Sequence, residues 1–377
     1  MKETPFYYYD TNLLEETLKA ALSEARKDSA YHVHYAIKAN ANPKILSIIR
    51  DSGMGVDCVS GGEIQAAIDI GFSPDKIVFA GVGKADWEID LAIRHDISCF
   101  NAESAAEIEV LCERAAMAGK RIRVALRVNP DIDAHTHSKI TTGLAENKFG
   151  INIEQLEETI DLLLGMPEIS FEGLHFHIGS QILDIGVFKT LCDRVNTLQE
   201  QLERKGITLK HINVGGGLGV NYAEPEKYPI PDFDQYFKIF RDNMVLKQRQ
   251  ELRFELGRSL VAQCGSLITK VLYVKKGTSR QFVIVDAGMN DLIRPALYQA
   301  SHKIVNLSSK KDAQVYDVVG PICESSDVFA KDVTLPVTSR GDFLALLSAG
   351  AYGEIMASQY NLRKLPLSFT NQETELL

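Results

Sequence analysis

Long apolar runs are missing from this 377-residue chain: none reaches the length of about eighteen uncharged residues that a membrane-spanning helix needs. The opening stretch, MKETPFYYYD, has no apolar core of signal-peptide length, so export is not expected. No low-complexity tract and no linker rich in Pro, Gly or Ser is present. A large excess of positive charge is also absent. Forty-one basic against fifty acidic side chains leave a formal charge of −9, which argues against nucleic acid or an anionic membrane as a partner. Six cysteines occur, Cys58, Cys99, Cys112, Cys192, Cys264 and Cys323, and none forms a C-x-x-C pair. Their scatter is that of buried thiols in a reduced, cytoplasmic enzyme. The remainder is ordinary for a globular protein, 45% hydrophobic and 24% charged. The length admits two domains, or one large barrel with an addition.

Short β-rich runs recur along the first two thirds of the chain. They are predicted at His32–Lys38, Gly55–Val59, Ile77–Ala80, Ile97–Phe100, Ile122–Val128, Glu172–His177, His211–Val214 and Leu252–Glu255. Between them, Asn42–Asp51, Gly62–Ile70, Ser104–Ala118, Ile153–Leu164 and Phe188–Lys205 carry apolar residues at helical spacing. Eight strand–helix units in about 225 residues predict a (β/α)8 barrel of the TIM type, with an open doubly wound sheet as the competitor. After Arg258 the texture changes to strands and turns, at Val261–Val274, Gln281–Asp286, Val315–Val319 and Phe343–Leu347. A barrel over residues 24–258 is therefore expected, with residues 1–23 and 259–377 forming a second, mainly β domain. The Tyr7–Tyr9 run is a candidate strand of that second domain.

Active sites of such barrels lie at the C-terminal ends of the strands. Those ends carry Lys38, Asp57, His177, the glycines of GGGLG at Gly215–Gly219, and Glu255 to Arg258. A lysine with a desolvated stem and an open tip can act as a free amine in Schiff-base chemistry. Alone, Lys38 reads more readily as a solvated residue after a strand; a cofactor site assembled around it changes that. Glycines let backbone N–H groups approach an anion, and a following helix N-terminus would add its dipole. Ser180 could donate to the same anion, and His177 could lie flat on a ring. Glu255, set against a pyridine nitrogen, would make the ring an electron sink. Metal is the second reading, because His175 with His177 and His135 with His137 make H-x-H pairs. No third ligand at diagnostic spacing accompanies them, so no metal is expected.

The motifs YAIKAN (35–40), DCVSGGE (57–63), VNPDIDAHTH (128–137), ENKFGI (146–151), GLHFHIGSQ (173–181) and GGGLG (215–219) span the barrel portion. ELGR (255–258), DAGMNDLIRPALY (286–298), CESSD (323–327) and GAYG (350–353) complete the set. With these the chain resembles the fold-type III pyridoxal-phosphate decarboxylases, most closely their bacterial diaminopimelate branch. The resemblance runs nearly end to end and departs at Leu256, where the family usually has proline. It implies a β-barrel-like second domain and active sites shared across a homodimer. Lys38 would be the lysine joined to pyridoxal phosphate, His177 the residue stacked on its ring, and Glu255 its partner at the ring nitrogen. Ser180, Gly216, Gly217, Gly257 and Arg258 would hold the phosphate, with Asp57 and Tyr352 also at the cofactor. Cys323 and Glu324 would come from the partner subunit, Cys323 as the acid, and Lys148 with Asp327 would form an ion pair between subunits.

The substrate can be argued chemically. A diamine precursor such as ornithine presents only a distal ammonium, whereas diaminopimelate presents a distal carboxylate and ammonium together. The second needs cations beside one acid. Arg258, Arg294, Tyr298, Glu324 and Tyr352 supply that set, and Gln299 stands where diamine-forming relatives carry an acid. The expected reaction is decarboxylation of meso-2,6-diaminopimelate to L-lysine. Alternatives are a sister decarboxylase acting on another basic amino acid or carboxynorspermidine, a non-catalytic pyridoxal-phosphate carrier, and a metal-dependent barrel hydrolase.

Overall fold

The computed structural model describes residues 2–132 and 148–374. The chain forms two compact units. One comprises Leu18–Gly219 and Asp232–Gly257, the other Met1–Thr17, Val220–Pro231 and Arg258–Leu377.

The first unit is a closed ring of eight parallel strands: Tyr31–Ala36, Gly55–Cys58, Ile77–Phe79, Cys99–Ala102, Ile122–Asn129, Ile169–His175, His211–Asn213 and Glu251–Leu256. Each pairs with the next, and the eighth returns to the first through Leu252 opposite Tyr31 and Leu256 opposite Tyr35. A two-residue strand, Ile151–Asn152, adds to the fifth outside the ring. The barrel expected from the alternating pattern is thus the fold observed. The fourth strand starts later than the pattern suggests, at Cys99. Asp96, in the left-handed region at φ 52°, closes the helix Asp86–His95, and the Ile97 amide donates back to Ala92. That helix, with Thr11–Ala25 and Phe233–Asn243, escaped the periodicity reading.

Ser60 and Ser104 cap the helices Gly61–Ile70 and Ala105–Ala118 by accepting from the amides of Glu63 and Glu107. Against the barrel wall, Phe254 of the eighth strand lies at the centre of an aromatic cluster. Its ring centroid is 4.9 Å from Phe237, 5.0 Å from Phe240 and 5.2 Å from Tyr31. This packing holds the strand that carries Glu255, one residue further along.

The second unit is an eight-stranded sheet in the order Ile304–Asn306, Phe343–Leu346, Gly265–Lys276, Gln281–Val285, Ala313–Val319 and Val328–Pro336. Phe6–Tyr9 pairs antiparallel with Gly265–Lys276 and parallel with Leu367–Thr370. The tyrosine run is therefore a strand of this sheet. The strand expected from Val261 begins at Gly265, because Arg258–Val261 turns as a short helix first. No helix among the described residues is long and apolar enough to cross a membrane.

Phe254 is fully buried. Phe254→Ala is expected to destabilise the barrel by about 3–5 kcal/mol, read from chemical denaturation; a loss below about 1 kcal/mol would show that the cluster does not hold the eighth strand.

Candidate active site

Lys38 lies in the single 3-10 turn Ile37–Ala39 that follows the first strand. Its ammonium donates to Asp57 Oδ2 at 3.0 Å, and its side chain keeps 36% of its surface open. Asp57, in the second strand, is fully buried. Burial first, and then the charge of Glu255, push its carboxyl above the usual range, against the pull of Lys38.

Glu255 faces inward from the eighth strand and is only 5% exposed. Asn213 Nδ2 donates to Oε1 at 2.6 Å and Asn101 Nδ2 to the same oxygen at 3.4 Å. His175 Nε2 meets Oε2 at 3.0 Å. Burial alone would raise this carboxyl. The charge and hydrogen bond of His175, followed by the charge of Lys38, outweigh it and hold Glu255 below the ordinary carboxylate range. His175 stands out in the sequence only as half of an H-x-H pair, and Asn101 and Asn213 do not stand out at all. The signal that brings all three to Glu255 is position, on the sixth, fourth and seventh strands.

The sixth strand ends at His175, so His177 belongs to the loop beyond it. The Gly216 amide donates to His177 Nδ1 at 3.3 Å, which places the ring proton on Nε2. Burial, with Arg127 and Lys38 nearby, pushes His177 well below its usual value and keeps the ring neutral. The same amide row forms a cradle that side chains cannot share. A Cβ on Gly216 would sit 2.0 Å from the Glu255 carbonyl oxygen, and Gly215 and Gly217 have φ of 68° and 112°. No helix follows this run directly; the next begins at Phe233. Any anion there is met by backbone amides without the expected dipole. Ser180 is half-buried in the adjacent loop, and Gly257 is buried against Ala36 and Ala39.

Polar atoms within this ring await partners. Asp57 Oδ1, Asn101 Oδ1 and His175 Nδ1 are buried with no hydrogen-bond partner among the described residues. An amine at Lys38, a stabilised carboxylate at Glu255, a neutral imidazole and a glycine cradle suit a phosphorylated pyridine aldehyde. Among the described residues no cluster of His, Cys, Asp and Glu is arranged for a metal; His135 and His137 lie outside them.

In the second unit Arg258 donates to the Tyr222 hydroxyl at 2.7 Å, and its guanidinium carbon lies 4.8 Å from the Tyr352 ring centroid. Arg294 stacks at 4.9 Å on the other contact of Tyr222, its ring face. Both arginines are at least nine-tenths buried, and Tyr298 is half-buried. Tyr352 is held at φ 57°, an uncommon conformation for a residue with a side chain. Cys323 and Glu324 are exposed. The Cys323 amide donates to Asn361 Oδ1 at 3.1 Å, and Tyr360 donates to Glu324 Oε1 at 2.6 Å. Asp327 is buried and accepts from the amides of Met289 and Ile322, each at 2.7 Å. Its carboxylate therefore orders the CESSD loop.

Residues 14–262 match the family model of the pyridoxal-dependent decarboxylases, pyridoxal binding domain. The diaminopimelate decarboxylase of Bacteroides thetaiotaomicron is 60% identical over 371 residues, which cover 98% of this chain and 96% of that one. The Helicobacter pylori enzyme of the same name is 43% identical, over 96% of this chain and 88% of its own. The chain belongs to the diaminopimelate decarboxylase family. Its structure superposes on the Helicobacter pylori diaminopimelate decarboxylase complexed with L-lysine with a TM-score of 0.93, at 40% identity over 98% of this chain and 92% of that one. A diaminopimelate decarboxylase from M. jannaschii, also in complex with L-lysine, gives a TM-score of 0.90 at 35% identity, covering 98% of this chain and 88% of that one. As a member of this family the chain is a carboxy-lyase, and its cofactor is pyridoxal phosphate.

Glu255→Gln removes the anion on which three donors converge while keeping its shape. The expected outcome is retained cofactor absorbance with kcat lowered about 10²–10³-fold. A kcat within about threefold of the parent would show that the carboxylate charge is not used.

Proposed function

We propose that this chain decarboxylates meso-2,6-diaminopimelate at its D-configured carbon, releasing carbon dioxide and L-lysine. The observation that carries the substrate reading is Arg294, a guanidinium 4% exposed with no carboxylate partner among the described residues. A buried cation without a counter-charge is costly, and an anionic ligand group resolves the cost.

Bound pyridoxal phosphate supplies an electron sink for the pair left at Cα when the carboxylate departs. The chain's own residues do the rest. Lys38 would anchor the cofactor covalently, and its Nζ, 3.0 Å from Asp57 Oδ2, keeps a proton close at hand. Glu255 would stabilise positive charge at the ring nitrogen, and its donors fix its orientation. His177, neutral and braced by Gly216, offers a flat face for the ring. Ser180, Gly216, Gly217, Gly257 and Arg258 are the residues that would hold the phosphate, and Tyr352 would also serve the cofactor. The Cα–carboxylate bond breaks, its electrons stay on the carbon side, and the Cys323 Sγ–H delivers the proton that completes the product. The thiolate then regains a proton from solvent. Arg258, Arg294, Tyr298, Tyr352 and Glu324 address the distal amino-acid end, Glu324 taking its ammonium and Arg294 its carboxylate.

Cys323 and Glu324 are exposed in a single chain. That exposure supports a homodimer in which each chain lends these two residues to its partner. Six cysteines, none of them in a disulfide, support a cytoplasmic location.

Two measurements test the reading. Offered meso-diaminopimelate, ornithine, arginine and carboxynorspermidine, the purified protein should release carbon dioxide from the first with a kcat/KM at least about 10²-fold higher; preference for any other compound overturns the substrate reading. Cys323→Ala should lower kcat by about 10²–10⁴-fold with cofactor binding intact, and unchanged turnover would remove Cys323 as the acid.

A further inference from the structure

A buried arginine of the barrel has an acidic partner. Arg127, 7% exposed in the barrel, donates to Glu103 Oε1 at 3.0 Å. Even the half-exposed Arg280 of the second unit pairs with Asp317 at 2.8 Å. Arg294 is treated differently. Its NH1 meets His302 Nε2 at 3.0 Å, its guanidinium carbon stacks on Tyr222, and its buried Nε has no hydrogen-bond partner.

The protonation of His302 follows from geometry alone. Its Nδ1 lies 2.9 Å from the Leu347 carbonyl oxygen, which can only accept, so Nδ1 carries a hydrogen. Its Nε2 faces a guanidinium N–H, which can only donate, so Nε2 presents a lone pair. An imidazolium would set two N–H groups against each other at that contact. The ring is 5% exposed and packs edge-on against Tyr222 at 5.2 Å, which leaves it little freedom to turn. Burial and the charge of Arg294 act in the same sense, pushing His302 down to about 3.

We propose that His302 is a positioning residue that aims Arg294 at the distal carboxylate of the substrate while leaving its positive charge unneutralised. A carboxylate in the same place would orient the guanidinium equally well, but would already satisfy it. A neutral acceptor fixes one N–H and leaves the charge for the ligand. Tyr222 serves the same end, since its ring covers one guanidinium and its hydroxyl accepts from the other without adding negative charge. The proposal rests on the reading of Arg294 as the group that binds the distal carboxylate.

The test compares His302→Gln with His302→Glu, side chains of equal reach that differ in charge, in the cofactor-loaded enzyme. Inhibition by L-lysine, which keeps the distal carboxylate, is measured beside inhibition by cadaverine, which lacks it. His302→Gln should hold KM for meso-diaminopimelate within about threefold. His302→Glu should raise KM and the L-lysine inhibition constant together by about tenfold or more, with kcat within about threefold and the cadaverine constant not weakened. Equal KM values for the two variants, or L-lysine and cadaverine weakening in parallel, would overturn the proposal. If His302→Glu fails to load cofactor, His302→Leu decides: KM up at least about fivefold with kcat held supports positioning, and no such split refutes it. Arg294→Met separates the two levels. Unchanged KM and L-lysine inhibition there would fail the reading of Arg294 itself, whereas weakening there with no His302 split would fail only the positioning role.

Discussion

A carboxylate sealed inside a β-barrel is the constraint on which the catalytic unit depends. Glu255 is 5% exposed, and an ionised acid at such a position is tolerated only when its oxygens are met by donors. Those donors come from the fourth, sixth and seventh strands, while the acid itself stands on the eighth. None is close to Glu255 in sequence. The set exists only once the ring has closed, with the eighth strand paired to both the seventh and the first. Packing and electrostatics are thereby linked: the aromatic cluster around Phe254 fixes the register of the eighth strand, and the register aims the carboxylate.

Asp57 supplies a contrast within the same ring. It is more deeply buried than Glu255, yet one of its oxygens has no partner and its carboxyl is pushed up where Glu255 is held down. Two acids near one lysine thus take opposite tendencies because one has three neutral or cationic donors and the other has essentially Lys38 alone. Pushing two carboxyl groups apart in this way is how one environment keeps one of them charged and the other ready to hold a proton.

Much of this was legible in the sequence where meaning is local. Lys38 announces itself by following an apolar strand, the glycines of GGGLG by leaving no room for side chains, and Glu255 by ending the eighth β-rich run. The alternation of strands and helices was enough for the barrel, and the change of texture after Arg258 for the β-rich sheet. What the sequence did not show is set by pairing across the fold. Asn101, His175 and Asn213 look like ordinary strand residues until closure brings them to one carboxylate. Tyr222 lies in the stretch Val220–Pro231, which interrupts the barrel sequence yet clusters with the β-rich unit. His302 has no motif of its own; its role appears only when Arg294 and the Leu347 carbonyl are found on its two nitrogens. The dipole expected after the glycine run failed for a related reason, since a run of glycines does not say what the chain does next.

With Arg294 as the proposed site of the distal carboxylate, selectivity would follow from how the second unit treats positive charge. A pocket that merely accommodated a longer side chain would discriminate weakly, because a surplus methylene is worth only about 1–3 kcal/mol. A pocket that leaves a guanidinium buried and uncompensated discriminates through what the wrong ligand fails to do. A diamine precursor entering such a site brings no distal carboxylate, so Arg294 stays desolvated and unpaired while an ammonium is added nearby. The penalty for leaving a built-in polar group unmet is the larger kind, about 10⁴–10⁵ in relative rate where a site is organised around one group. On the proposed reading, neutral His302 and Tyr222 beside Arg294 would keep that penalty in force, since an acid in either place would let the arginine rest satisfied with any ligand or none.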